Sequence, residues 1–120
     1  DKLADFNSVS RQQKEIGSQD LVIGVAHAPY LEVIRAFGEQ GAKLVFAGHT
    51  HGGQICLPKF GAIITNCDLP RKFAKGLSQH QVGKSSVWLN VCAGLGTSIF
   101  APVRLYCKPE VRLLTLVSSL

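Results

Sequence analysis

The tightest constraint on this chain is a pair of short apolar runs with a helical stripe between them. Leu21 to Ala26 reads Leu-Val-Ile-Gly-Val-Ala, and its three β-branched residues suit a strand covered on both faces. Pro29 ends that run. Tyr30, Val33, Ile34 and Phe37 then recur at the spacing of a three-turn helix, and Gly41 is placed to cap its end. Leu44-Val45-Phe46-Ala47 supplies the second strand. A strand, a helix and a strand in so short a span make a βαβ unit, with parallel and usually adjacent strands joined by a right-handed crossover.

That unit decides where the histidines go. His27 follows the first strand, and His49 and His51 follow the second in Gly48-His49-Thr50-His51-Gly52-Gly53-Gln54. Two parallel strands end at one sheet edge, where open α/β folds bind ligands, so His27 and His49 are expected as neighbours although 22 positions separate them. If the backbone stays extended through Thr50, side-chain alternation puts His51 on the same side as His49, and three imidazoles share one pocket. A neutral imidazole offers a nitrogen lone pair near physiological pH, which makes histidine the commonest metal ligand. Taken alone, His27 reads as a core histidine bonded to backbone, and His80 as a surface histidine. The His49/His51 pair reads as ligands, because its flanking glycines let the backbone approach an ion or a phosphate.

Composition sets the wider bounds. The chain has 120 residues, 46% of them hydrophobic, which is enough for one small domain with a core. From Lys59 onward eight basic residues face only Asp68 and Glu110, a balance that suits an anionic ligand or a solvated surface. Nucleic acid is not expected, since there is neither a Lys/Arg-rich helix nor a ladder of aromatic and basic residues. Cys56, Cys67, Cys92 and Cys107 form no Cys-x-x-Cys pair and read mostly as buried thiols. No apolar run reaches the length of a membrane span, and the first residues lack a signal-peptide pattern.

The polar residues 1 to 19 carry Leu3, Phe6, Val9 and Ile16 at roughly helical spacing, which predicts a weak amphipathic helix ending near Gly17. Beyond the histidines short strands are expected at 62–65, 76–82, 86–91, 103–107 and 111–117, with hairpin turns at Val82-Gly83-Lys84-Ser85 and Lys108-Pro109-Glu110. Gly94-Leu95-Gly96-Thr97-Ser98 offers Gly94 and Gly96 either as backbone N–H donors to an anion or as a tight turn. Arg104 is a candidate phosphate clamp, a surface role being the alternative. Arg71-Lys72-x-x-Lys75 lines a substrate entrance, faces an anionic membrane or is a solvated loop. Carboxylates are scarce: Glu32 and Glu39 fall on the crossover helix and Asp68 in a loop, whereas phosphate-handling two-ion sites usually add a bridging acid.

Residues 23–29, together with Leu44 through Gly48-His49-Thr50-His51-Gly52-Gly53-Gln54, resemble the last two metal-binding motifs of the calcineurin-like metallophosphoesterases. The Leu89-Asn90-Val91-Cys92-Ala93-Gly94 stretch onward, with Pro102, Arg104 and the segment from Pro109, is similar to a subgroup of bacterial phosphohydrolases of the YkuE and YaeI type. The resemblance implies an α/β fold, the C-terminal half of a four-layer αββα sandwich, in which one βαβ unit precedes largely antiparallel short strands. It implies a phosphomonoester or phosphodiester hydrolase with two divalent ions (Mn, Fe or Zn), where a metal-bound hydroxide attacks phosphorus in line. His27 and His49 would bind one ion and His51 the other. The family's Asp-x-His, Gly-Asp-x-x-Asp and Gly-Asn-His motifs are absent from residues 1–120, so the catalytic residues are expected upstream and the isolated chain is expected to be inactive. The expected partner is a phosphate ester, phospholipid-like esters included, at a cytoplasmic or peripheral membrane location. A non-catalytic scaffold and a mononuclear zinc hydrolase are the alternative readings.

Overall fold

The computed structural model describes residues 17–118. The weak helix expected over residues 1–19 lies almost wholly outside them. Within them, β1 (Ile23–Ala26), α1 (Leu31–Glu39) and β2 (Leu44–Ala47) form the expected βαβ unit. A 3-10 turn at His51–Gly53 follows, then a two-stranded ribbon of β3 (Cys56–Leu57) and β4 (Gly61–Ala62). A second 3-10 turn at Arg71–Phe73 leads into a hairpin of β5 (Gly76–Val82) and β6 (Ser85–Val91). Its two-residue connection, Gly83-Lys84, is where the sequence places a turn, and Gly83 has φ 57°.

The four-stranded sheet has the order β1-β2-β6-β5. β1 and β2 are parallel, with Ile23 opposite Leu44 and Ala26 opposite Ala47. β6 joins β2 in parallel as well, with Leu44 opposite Trp88 and Ala47 opposite Val91, whereas β5 is antiparallel to β6. The chain is thus mixed α/β. Three parallel strands end together, so β6 delivers Cys92, Ala93 and Gly94 to the edge that carries the histidines.

α1 begins where the Tyr30-x-x-Val33-Ile34-x-x-Phe37 stripe predicts, and Gly41 takes φ 89° just beyond its end. Its first turn is capped from a distance: the Leu31 N–H donates to Asp68 Oδ1 at 2.9 Å. Ile34 and Phe37 press α1 onto one face of the sheet, against Val45, Val82, Val87, Leu89 and Val91. The absence of a side chain at Gly24 makes this close approach possible, since a Cβ there would lie 2.8 Å from the Phe37 ring.

The other face of the sheet is not covered in the same way. Ile23, Val25, Leu77 and Trp88 sit on it, each at least 41% exposed, with Val25 at 74%. Leu21–Ala26 is expected to be covered on both faces; β1 instead lies at the sheet edge, and α1 covers a single face. Two further expectations are corrected. Segments 103–107 and 111–117 form no strands, and Lys108-Pro109-Glu110 makes no hairpin. The first keeps one bridge, Ile55 with Leu105, and without a pairing partner the second has no ladder to join. The strand expected at 62–65 shortens to Gly61–Ala62.

His80, read from sequence as a surface histidine, is half-buried. It lies on the α1 side of β5, its ring 5.0 Å edge-on from Phe73 and its Nε2 2.8 Å from Ser78 Oγ, and burial lowers its pKa from the ordinary 6.5. The folded chain therefore binds this proton less readily than the unfolded one, so His80 erodes stability as pH falls through 6.5 and leaves it untouched well above. Denaturant unfolding at pH 7.5 and 5.5 should show that loss, and His80→Gln should flatten it. An unchanged slope in the variant would assign the pH dependence to other groups.

Candidate metal centre

The sheet register brings two of the three candidate ligands into contact. The Gly48 N–H donates to the His27 carbonyl at 3.0 Å, which extends the β1–β2 pairing to the histidines themselves. His27 Nε2 and His49 Nδ1 then face each other at 3.0 Å, their ring centroids 4.8 Å apart and planes at 62°. The Tyr30 ring lies 6.4 Å from that of His49. His27 is exposed and His49 half-buried. As a hydrogen bond this contact needs one nitrogen protonated and the other bare. The separation is also that of two nitrogens bound at right angles to one metal, each ~2.1 Å from it and so ~3.0 Å apart.

His51 does not join them. The backbone is not extended through Thr50: His49 has φ 68°, Thr50 is helical and His51 has φ 49° as it starts the 3-10 turn. Alternation therefore fails, and the pocket shared by three imidazoles is not formed. Among the described residues no group of three or more His, Cys, Asp or Glu side chains is gathered as a metal would require. His51 instead lines a cavity of about 430 Å³ with Gln54, Asn66, Ser98 and Phe100.

The loop that carries these histidines is held by residues around it. Thr50 is buried, and its Oγ1 donates to the Ala74 carbonyl at 2.6 Å while accepting the Gly52 N–H at 3.2 Å. Gln54, also buried, accepts the Ser98 N–H at 2.7 Å and donates to the Ala101 carbonyl. Gly53 has φ 86°, and a Cβ there would overlap Ala62 at 2.2 Å. Beneath the turn the thiols of Cys56 and Cys107 both donate to the Gly52 carbonyl at 3.4 Å. Burial, then the neighbouring Cys107, pushes the Cys56 thiol up, and the Lys75 charge opposes this. All four cysteines are free, as expected, although Cys67 and Cys92 are only half-buried.

Arg104 is occupied by its own chain. Its guanidinium donates to the carbonyls of Ala93 at 2.7 Å, His51 and Gly94 at 3.1 Å and Cys107 at 3.4 Å, and doubly to Gly96. Read from sequence as either a phosphate clamp or a surface residue, Arg104 is here a tie between the histidine loop, the Gly94–Ser98 loop and the C-terminal segment. Gly94 and Gly96, read as either N–H donors to an anion or a tight turn, turn carbonyls toward this cation, and the Gly94 N–H meets Cys92 Sγ at 3.4 Å. Sequence pattern identified none of Thr50, Gln54 or Asp68 as a tie, because each partner is more than twenty positions away. The one local signal was the threonine between two histidines.

Two known proteins match the chain. It is 40% identical over 77 residues, 64% of its length and 25% of the other's, to the Bacillus subtilis (strain 168) protein named "Uncharacterized metallophosphoesterase YkuE". It is 32% identical over 108 residues, 86% of its length and 34% of the other's, to "Uncharacterized protein YpbG" of the same organism. No family model and no solved structure matches it. The chain therefore has a metallophosphoesterase-type relative, and its mixed α/β sheet agrees with part of such a fold. It spans about a quarter to a third of the length of these relatives.

Arg104→Lys tests the tie directly, since a lysine keeps the charge but its single ammonium cannot reach five carbonyls at once. Unfolding in denaturant should show a loss of about 2 kcal/mol. A loss below about 0.5 kcal/mol would mean that water replaces the guanidinium without cost.

Proposed function

We propose that this chain contributes metal ligands to a metal-dependent phosphoric ester hydrolase. The observation that carries the reading is the pair of imidazole nitrogens 3.0 Å apart where two adjacent parallel strands end. The metallophosphoesterase-named relative supports it. His27 and His49 would hold one divalent ion and His51, on the far side of the turn, a second; their nitrogen donors suit Mn, Fe or Zn. A metal held there would polarise a phosphoryl oxygen and lower the pKa of bound water. The chain's own part is to fix the imidazoles: Gly48 holds His27 in register, and Thr50, Gln54 and Arg104 hold the turn that aims His49 and His51.

The catalytic acid–base groups and bridging carboxylate would come from sequence preceding this chain, which would then be the C-terminal half of an αββα sandwich. The exposed apolar face formed by Ile23, Val25, Leu77 and Trp88 supports this, since sheets of such domains bury both faces. Asn90 fits as well: it sits on that face with its Oδ1 buried and without a partner among the described residues. The substrate is a phosphomonoester or phosphodiester, phospholipid-like esters included. Among the described residues no helix is long and apolar enough to cross a membrane.

The test is hydrolysis of bis-p-nitrophenyl phosphate and p-nitrophenyl phosphate by the manganese-loaded protein with whatever flanking sequence its gene encodes. Turnover that falls at least about 100-fold in His49→Ala, with the thermal midpoint unchanged, is the expected result. Absence of turnover in a folded, metal-loaded protein would favour a phosphoesterase-like scaffold.

A further inference from the structure

A second feature lies apart from the histidine pair. The β3–β4 ribbon, the 71–75 segment, Gly52 and Tyr106 enclose a groove of about 490 Å³. Lys59, Arg71, Lys72 and Lys75 line it, and no carboxylate does. Among the described residues none of the four makes an ion pair, the one present joining Glu110 to Arg112, although the Lys75 charge is near enough to Glu110 to help lower its pKa. Four like charges around one concavity repel each other and focus a positive potential into it.

Three of the four are held in place. The Arg71 guanidinium lies 4.3 Å over the Phe60 ring, and the Lys72 ammonium 4.8 Å over Phe73. The Lys75 stem packs beside Gly52, its Cδ 3.3 Å from where a Cβ would stand. The segment that carries them is anchored in turn, because the Ala74 carbonyl accepts the buried Thr50 hydroxyl at 2.6 Å. Holding the cations in this way lowers the conformational entropy lost on binding. Leu57, Pro58 and Tyr106 add an apolar side to the groove.

We propose that this groove is an anion site that binds a phosphate-bearing ligand independently of the histidines. Its cations match the oxygens of a phosphate or pyrophosphate group, and the apolar side accommodates an attached carbon skeleton. Such a group is carried both by a phospholipid headgroup at a membrane and by a soluble phosphate compound. The site would hold the ligand by charge and would carry out no bond cleavage.

Binding is measured with a chelator present, so the histidine pair contributes no metal and failure of the phosphohydrolase reading leaves the result intact. Inorganic pyrophosphate in calorimetry probes the soluble source. Sedimentation with phosphatidylglycerol vesicles, against phosphatidylcholine vesicles, probes the membrane source. At least one anionic probe should bind, weaken at least tenfold in Arg71→Glu/Lys72→Glu, and weaken as salt rises from 50 to 300 mM; Lys72→Gln should give a smaller loss with an unchanged thermal midpoint. Binding of pyrophosphate identifies a soluble ligand, and retention on anionic vesicles alone identifies a lipid headgroup. Failure of both probes, or binding that charge reversal leaves unchanged, would overturn the proposal.

Discussion

Everything at the candidate centre depends on the parallel register of β1 on β2. Ala26 opposite Ala47 sets His27, the residue after β1, beside the first two residues after β2, and the Gly48 N–H on the His27 carbonyl closes the ladder there. A one-residue slip would reverse which side of the sheet each strand residue faces and separate the two imidazoles. What prevents the slip is burial: Gly24 must lie under Phe37, and Val45 must enter the core with Leu89. The hydrophobic contact between α1 and one face of the sheet therefore fixes the nitrogen separation at the sheet edge.

Beyond that edge the chain leaves regular structure and takes on backbone strain. His49, His51 and Gln54 all have positive φ, which costs an L-residue of the order of 1–3 kcal/mol each. Such a turn persists only where its surroundings over-determine it. Here they do so from three directions: Thr50 is bonded to the 71–75 segment, Gln54 to residues 98 and 101, and Arg104 gathers five carbonyls. The strain separates His49 from His51 across the turn. One imidazole faces His27 and the other faces the cavity beside Ser98 and Phe100.

The parts legible in the sequence are those governed by local period. The stripe from Tyr30 to Phe37 gave α1, the runs at 23–26 and 44–47 gave the parallel pair, and Gly83-Lys84 gave the hairpin, because each signal lies within a few residues of its structure. The parts that were missed depend on distant partners. Whether 111–117 forms a strand depends on a neighbour to pair with, and whether Arg104 meets a phosphate or a carbonyl depends on where residues 93–96 bring their oxygens. His51 was misplaced for a related reason. Alternation holds only in extended backbone, and the glycines that marked the loop as interesting also allow it to turn.

The measurement that bears most directly on the account is a crystal structure of the protein soaked in manganese, with anomalous scattering collected at a wavelength where the metal contributes. An anomalous peak within bonding distance of both His27 Nε2 and His49 Nδ1, lost in His49→Ala, is the expected result. A manganese peak elsewhere with this pair unligated, or a pair that keeps its direct nitrogen–nitrogen hydrogen bond at saturating metal, would contradict it.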